Sequence, residues 1–219
     1  QGECGTINRS ECEQLRELFP EDFEPDATAE TNFVAGRDPN DILGPAGYGD
    51  AHWVGLNSTL SYRIRFENVA TATGAAQEIR ISQMLDADLD WRTFRLGDFG
   101  LGDVYVNVGA NASFYYGRIN ARASRGIDID VTAGINLLTG EVFWIFSAVD
   151  PLTGLAPVDP LVGILPPNVN VGEGEGFADY VVKSRVAAAN GARIDARATI
   201  IFDTQAPIDT PAIFNTIDA

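Results

Sequence analysis

Apolar and polar residues alternate with period two along most of the chain after about residue 38. In LSYRIRFENV, Tyr62, Ile64 and Phe66 stand against Arg63, Arg65 and Glu67. In AQEIRISQML, Ile79 and Ile81 stand against Arg80 and Gln83, and in DVYVNVG Val104, Val106 and Val108 alternate with Tyr105 and Asn107. SFYYGRINARASRGIDIDVTAGIN predicts two strands around SRG, and the more continuous apolar run EVFWIFSAVD predicts a central strand. GFADYVVKSRV and ARIDARATIIFD follow, the second with Ile194, Ala196, Ala198 and Ile200 on one side. Period two puts alternate side chains on one face of a sheet. Hairpin-length turns such as LLTGE and AANGA make those sheets antiparallel, each with one buried face. The fold class predicted is all-β: an antiparallel β-sandwich of about eight to nine strands.

The first 37 residues follow a different pattern. Ser10 and Glu13 have the spacing of a capping box; Leu15, Leu18 and Phe19 follow at helical spacing, and Pro20 ends the run. This predicts one short N-terminal helix over about 11–19, followed by the acidic linker PEDFEPDATAETN. The domain division expected is therefore 1–37 for helix and linker and 38–219 for the sandwich. Later, VDPLTGLAPVDPLVGILPPNVNVGEGEG is too long for a hairpin turn, and its prolines suit a crossing between sheets or a cover for an edge. The tail APIDTPAIFNTIDA is extended by proline yet carries Ile213, Phe214 and Ile217, which need an apolar partner on this sandwich or on a neighbour.

Charge narrows the partners. The net charge of −16 opposes nucleic acid, whose binding rests on basic residues, and opposes anionic lipid surfaces. No run of apolar residues is long enough to cross a membrane as a helix. Cys4 and Cys12 are the two cysteines. Their spacing suits one local disulfide and an oxidising, secreted setting, and closing so short a loop would contribute roughly 2–3 kcal/mol. The alternatives are two free thiols or half of a metal site, for which His52 is the one histidine available.

Two acidic stretches are candidate calcium sites, because calcium takes about six to eight oxygens and alternate Asp on a loop can converge on one ion. One is Asp38, Asn40 and Asp41 in RDPND; the other is Asp86, Asp88 and Asp90 in LDADLD. The second departs from an EF-hand loop, with Gly97 where the closing Glu belongs. The competing reading of both is turn chemistry. Glu173 and Glu175 in GEGEGF sit two apart on glycine, unlike the facing carboxylates of glycoside hydrolysis. No GxSxG is present, and His52 has no evident serine partner, so no catalytic residues are assigned. Trp53 and Trp91, with Tyr48, Tyr105, Tyr115 and Tyr116, are candidates for stacking a polysaccharide; the alternative is core packing.

DPNDILGPAGYG, LSYRIRFENVATATGAAQEIRISQMLDADLDWRTFRLGDFGLGD and ATIIFDTQAPIDTPAIFNTIDA together resemble an Ig-like module of very large secreted or surface-attached proteins, mostly bacterial. The resemblance covers about residues 38 to 219 and leaves out the cysteine-bearing head. It implies an extracellular, non-enzymatic structural or adhesive module, with calcium at Asp38, Asn40, Asp41, Asp86, Asp88 and Asp90. Its partners would be neighbouring copies or domains of the same protein. Docking of the tail through Ile213, Phe214 and Ile217 on a neighbour's sheet edge would build filaments by strand addition.

Overall fold

The computed structural model describes residues 40–219. The expected helix over 11–19, the Cys4–Cys12 pairing, the acidic linker and Asp38 lie outside the described residues.

The described chain is almost wholly β, but it has fourteen strands in three sheets rather than eight or nine strands in two. The five-stranded sheet has the order β1 (Asp41–Leu43), β3 (Thr59–Glu67), β10 (Glu175–Ser184), β5 (Leu89–Leu101), β6 (Val104–Val106). The six-stranded sheet has the order β13 (Ile208–Asp209), β12 (Thr199–Phe202), β4 (Glu78–Met84), β9 (Glu141–Val149), β8 (Ile127–Asn136), β7 (Phe114–Ala121). The third sheet is β11 (Arg193–Ala196), β14 (Ile213–Asp218), β2 (Trp53–Gly55). One helical turn, α1 (Arg122–Arg125), joins β7 to β8 at the SRG position and ends at Gly126 in the left-handed conformation.

Alternation drives the two larger sheets together. β3 buries Leu60, Tyr62, Ile64 and Phe66, and β10 buries Ala178, Tyr180 and Val182 on the same side. β9 lies between β4 and β8 and buries Val142, Trp144 and Phe146, with Trp144 and Phe146 facing the five-stranded sheet. Aromatic rings interlock between the layers: Phe99 and Phe66 meet Phe146 at 5.4 and 6.3 Å, and Tyr180 meets Trp144 at 6.0 Å. Tyr180 also reaches across to donate a 2.9 Å hydrogen bond to Gln83 Oε1 on β4.

Three departures from the simple alternation have physical causes. β5 pairs β10 with two register shifts, so its buried positions run Leu89, Phe94, Leu96, Phe99, Leu101 rather than every second residue. The first shift gives β5 one extra residue against β10 and the second gives it three, and each odd insertion re-phases the strand. Gly97 sits at one of these shifts, where a Cβ would lie 2.7 Å from Asp179 Cβ. ARIDARATIIFD keeps its alternation but is cut between Ala196 and Thr199; β11 pairs β14 while β12 pairs β4 and β13. Finally, β14 pairs β2 in parallel, the one parallel pair among the described strands. The Pro-rich insert does cross between sheets, from β9 to β10, and buries Ile164 and Leu165 completely.

Candidate functional site

The polar residues of the sequence motifs converge on hydrogen-bonded ties, and the most extensive tie joins the first strands to the last. β14 is the middle strand of its sheet, so its backbone is paired on both sides, to β11 and to β2. Asn215 is 1% exposed, and its Nδ2 donates to Pro45 O at 3.0 Å and to His52 O at 3.1 Å. Thr216 Oγ1 donates to Ala51 O at 2.7 Å, Thr216 N to His52 O, and Leu56 N to Asp218 O at 2.8 Å. The GPAGYGDAH turn is shaped to receive them. Gly47 has φ +65°, and a Cβ there would lie 2.3 Å from the His52 carbonyl carbon. His52 holds φ 51°, bonds Ala46 O through Nδ1 at 2.7 Å and sets its ring edge-on to Phe214 at 5.1 Å. Arg193 covers Phe214 at 4.1 Å, within cation–π range.

Ile213, Phe214 and Ile217, expected to serve assembly, are thus spent on the chain's own fold in this structure. Ile217 is fully buried, and Ile213 packs against the core.

A second set of ties fixes the crossing insert. Gln77 Nε2 donates to the carbonyls of Pro157, Asp159 and Val162 at 3.0–3.1 Å. Asn68 Nδ2, from the FEN motif, donates to Gly74 O and Leu165 O. Asn168 Oδ1 accepts from Gly172 N and Gly174 N. Asp203, from the IFD motif, adopts φ 51° and accepts from both Gln77 N and Glu78 N through Oδ1. These side chains replace the partners that an irregular backbone loses when it leaves a sheet.

The acidic candidates fall into two separate places. Asp41 lies on β1 and forms a bidentate pair with Arg65, whose Nε donates to Oδ1 at 2.6 Å. Asn40 is buried, and its Oδ1 accepts from Glu67 N. Asp86, Asp88 and Asp90 form the β4–β5 turn and the start of β5. Asp86 Oδ1 accepts from Asp88 N at 2.8 Å and Oδ2 from Asp195 N at 3.2 Å, while Asp90 Oδ1 accepts from Arg92 N. The register sets Asp41 opposite Arg65, and Asp90 opposite Lys183 and hence Thr59. Six strand residues, about 20 Å, therefore separate the two sets, too far for one shared ion. No group of three or more His, Cys, Asp or Glu gathers around a possible ion among the described residues.

The aromatic candidates also differ from each other. Trp53 is 37% exposed on β2. Trp91 is partly buried: its Nε1 donates to Asp86 O at 3.0 Å, its ring packs on Gly140, and Arg185 stands 5.8 Å away. Of the two, Trp53 is the ring open to a sugar.

Arginine–carboxylate ladders cover the outer faces. Arg63 pairs Asp179, Arg118 pairs Asp130 and Arg122 pairs Asp128, each through two bonds of 2.6–2.8 Å. The hydrogen bonds from Arg118 and Arg122 hold the carboxyls of Asp130 and Asp128 below the usual range, and the Tyr105 hydroxyl does the same for Asp98. Carboxylates held in this way are poor proton carriers near neutrality. Sequence reasoning missed the ties at Asn68, Gln77, Asn168, Asp203, Asn215 and Thr216. The signal was there for several, since Asn68, Asp203, Asn215 and Thr216 are polar residues within the stretches that carry the family resemblance.

Residues 38–128 match a family described as a domain of unknown function, DUF7619. No curated protein matches the chain in sequence. Among solved structures, the chain is similar to domains D2 and D3 of the major pilin SpaD from Corynebacterium diphtheriae, with 14% identity over 80% of this chain and 51% of that one, at a TM-score of 0.44. It is also similar to the major pilin subunit BcpA of Bacillus cereus, with 13% identity over 81% of this chain and 39% of that one, at 0.45. A collagen-binding domain from a Staphylococcus aureus adhesin aligns at 9% identity over 83% of this chain and 97% of that one, at 0.38. The chain thus spans about half or less of the two pilin chains.

Proposed function

We propose that residues 38–219 are a non-enzymatic structural and adhesive module of an extracellular surface protein or filament, whose partners are neighbouring copies or domains of the same protein. The observation that carries this reading is the tie between β2 and β14. Tension that reaches β2 from its N-terminal side, past β1 and its pairing with β3, and β14 from Ala219 pulls these two parallel strands from opposite ends. Their backbone bonds are then loaded together, in shear, rather than peeled one by one. The side-chain bonds of Asn215 and Thr216 to the 45–52 segment lie across the same path. This arrangement suits a module that passes load between its ends.

Single-molecule stretching of the full chain between its termini tests it. The expected record is one cooperative rupture, at a force lowered by Asn215→Ala. Stepwise low-force peeling of the tail, unaffected by that substitution, would sink the reading.

Calcium enters this proposal as a stiffening ion at the acidic turns. Asp88 is the group to watch, because its carboxylate has no hydrogen-bond partner among the described residues while those of Asp86 and Asp90 do. An ion bound only by the native state raises the unfolding midpoint by linkage. The expected outcome is a higher midpoint in calcium than in excess EGTA, with the difference removed by Asp88→Ala. Equal midpoints in the two buffers would assign these Asp to turn chemistry.

A further inference from the structure

Six strands end a sheet among the described residues, and five of them are short. β1, β2 and β6 have three residues each, β11 four and β13 two. β7 has eight, and it pairs with β8 at every position without a register shift. Its other edge has no backbone or side-chain partner among the described residues. Proteins usually blunt such an edge with brevity, proline, lysine or a bulge, because unpaired N–H and C=O groups invite another strand. FYYGRINA has no proline, lysine or bulge, and its one charge, Arg118, is paired with Asp130. It also exposes Phe114 by 60% and Tyr116 by 75%, on the same outer face as Arg118 and Asn120.

We propose that β7 pairs antiparallel with β7 of a second copy of this chain, about a two-fold axis at Gly117, so that two six-stranded sheets become one continuous sheet. A second copy is the fitting occupant because the strand complements itself. With Gly117 opposite Gly117, Tyr116 faces Arg118 of the second copy and Phe114 faces Asn120, and each contact occurs twice. Arginine against an aromatic ring is a favourable cross-strand pair. A slip of two residues one way sets Arg118 against Arg118, which opposes that register. Charge favours this edge over the rest of the surface as well. The chain carries −16, so two copies repel in general, yet the only charged residue of β7 is Arg118, itself held by Asp130 of β8. The rings therefore face Arg118 and Asn120 at the one long edge whose nearest carboxylate, Asp130, is already neutralised by an arginine.

Light scattering coupled to gel filtration, on the full chain up to about 1 mM, the weak end of specific association, reads the outcome. The unmodified chain is expected to form dimers. Tyr116→Lys sets like charges across both symmetric contacts and is expected to weaken the dimer at least about tenfold. Tyr116→Glu sets Glu against Arg118 and is expected to keep the dimer at low salt and lose it as salt rises. Leu138→Lys alters an apolar residue exposed by 94% in the β8–β9 turn and is expected to leave the dimer unchanged. Since Tyr116 is largely exposed, both β7 variants should retain the unfolding midpoint of the parent. A monomer at every concentration overturns the proposal, and so does a dimer that responds alike to Lys and Glu at position 116. A monomer would leave the load-bearing reading intact, because stretching tests that within a single chain.

Discussion

Tyr62 and Tyr180 stack in the core at 4.9 Å, and their hydroxyls meet different fates. Tyr180 donates to Gln83, whereas the Tyr62 oxygen is buried with no partner among the described residues. Burial pushes both phenols up, away from ionisation. A buried hydroxyl without a partner forfeits its hydration, so removing it is favourable, while removing half of a satisfied pair orphans the other half. Tyr62→Phe is therefore expected to raise the stability against urea by about 1 kcal/mol, and Tyr180→Phe to lower it by about 1–3 kcal/mol. Both would be read from the shift in urea midpoint at constant slope. At this scale the sequence was half legible. Tyr62 was readable as core from its alternation with Arg63. Gln83 was assigned to the polar side of its strand, yet it is 3% exposed. Period two sets Gln83 on the same face as Ile79 and Ile81, and its polar type alone put it on the other; a buried amide that finds a hydroxyl across the core obeys the period and defeats the rule by residue type. The same limit hid Asn215, which reads as a polar residue of an extended tail until the carbonyls of Pro45 and His52 are brought to it from 170 and 163 residues away.

At the scale of elements, regular strands were the readable part. β3, β4, β7, β8 and β10 fall where period two placed them, because each has one face on the core, and β9 falls where the continuous apolar run EVFWIFSAVD placed it. The missing elements are those in which backbone geometry changes without a change in residue pattern. β11 and β12 share one alternating run but part company at Arg197, and only the partners available in space decide that. β1, β2 and β13 are two or three residues long, too short for any period to show. The crossing insert was legible as a crossing from its length and prolines, but its fixing points were not, since they come from Asn68 and Gln77 in a distant loop and strand end. Gln77 holds three insert carbonyls within 3.1 Å of a single amide nitrogen, whose two N–H groups are shared among them. Gln77→Ala is expected to release the 150–163 portion and to speed limited proteolysis within it, while cleavage elsewhere keeps its rate. Unchanged cleavage in that segment would show that Ile164 and Leu165 hold the insert without the amide.

For the molecule as a whole, the sandwich of two facing sheets was predictable, and the third, smaller sheet was not. The load path proposed above runs through that third sheet. The apolar tail was seen to need a partner, but a sequence cannot distinguish packing on its own chain from packing on another; the structure places β14 between β11 and β2 of the same chain. The central claim is that this tail is as firmly held as the core. Native-state hydrogen exchange measures it directly, because amides that open only on global unfolding exchange at the global free energy and fraying ends exchange far earlier. The backbone amides of Ile217, bonded to Ala192 O, and of Leu56, bonded to Asp218 O, are expected to match the protection of the β4 and β9 amides. Exchange at Ile217 and Leu56 at much lower free energy than in β4 and β9 would mean that the tail opens by itself, and would contradict the account.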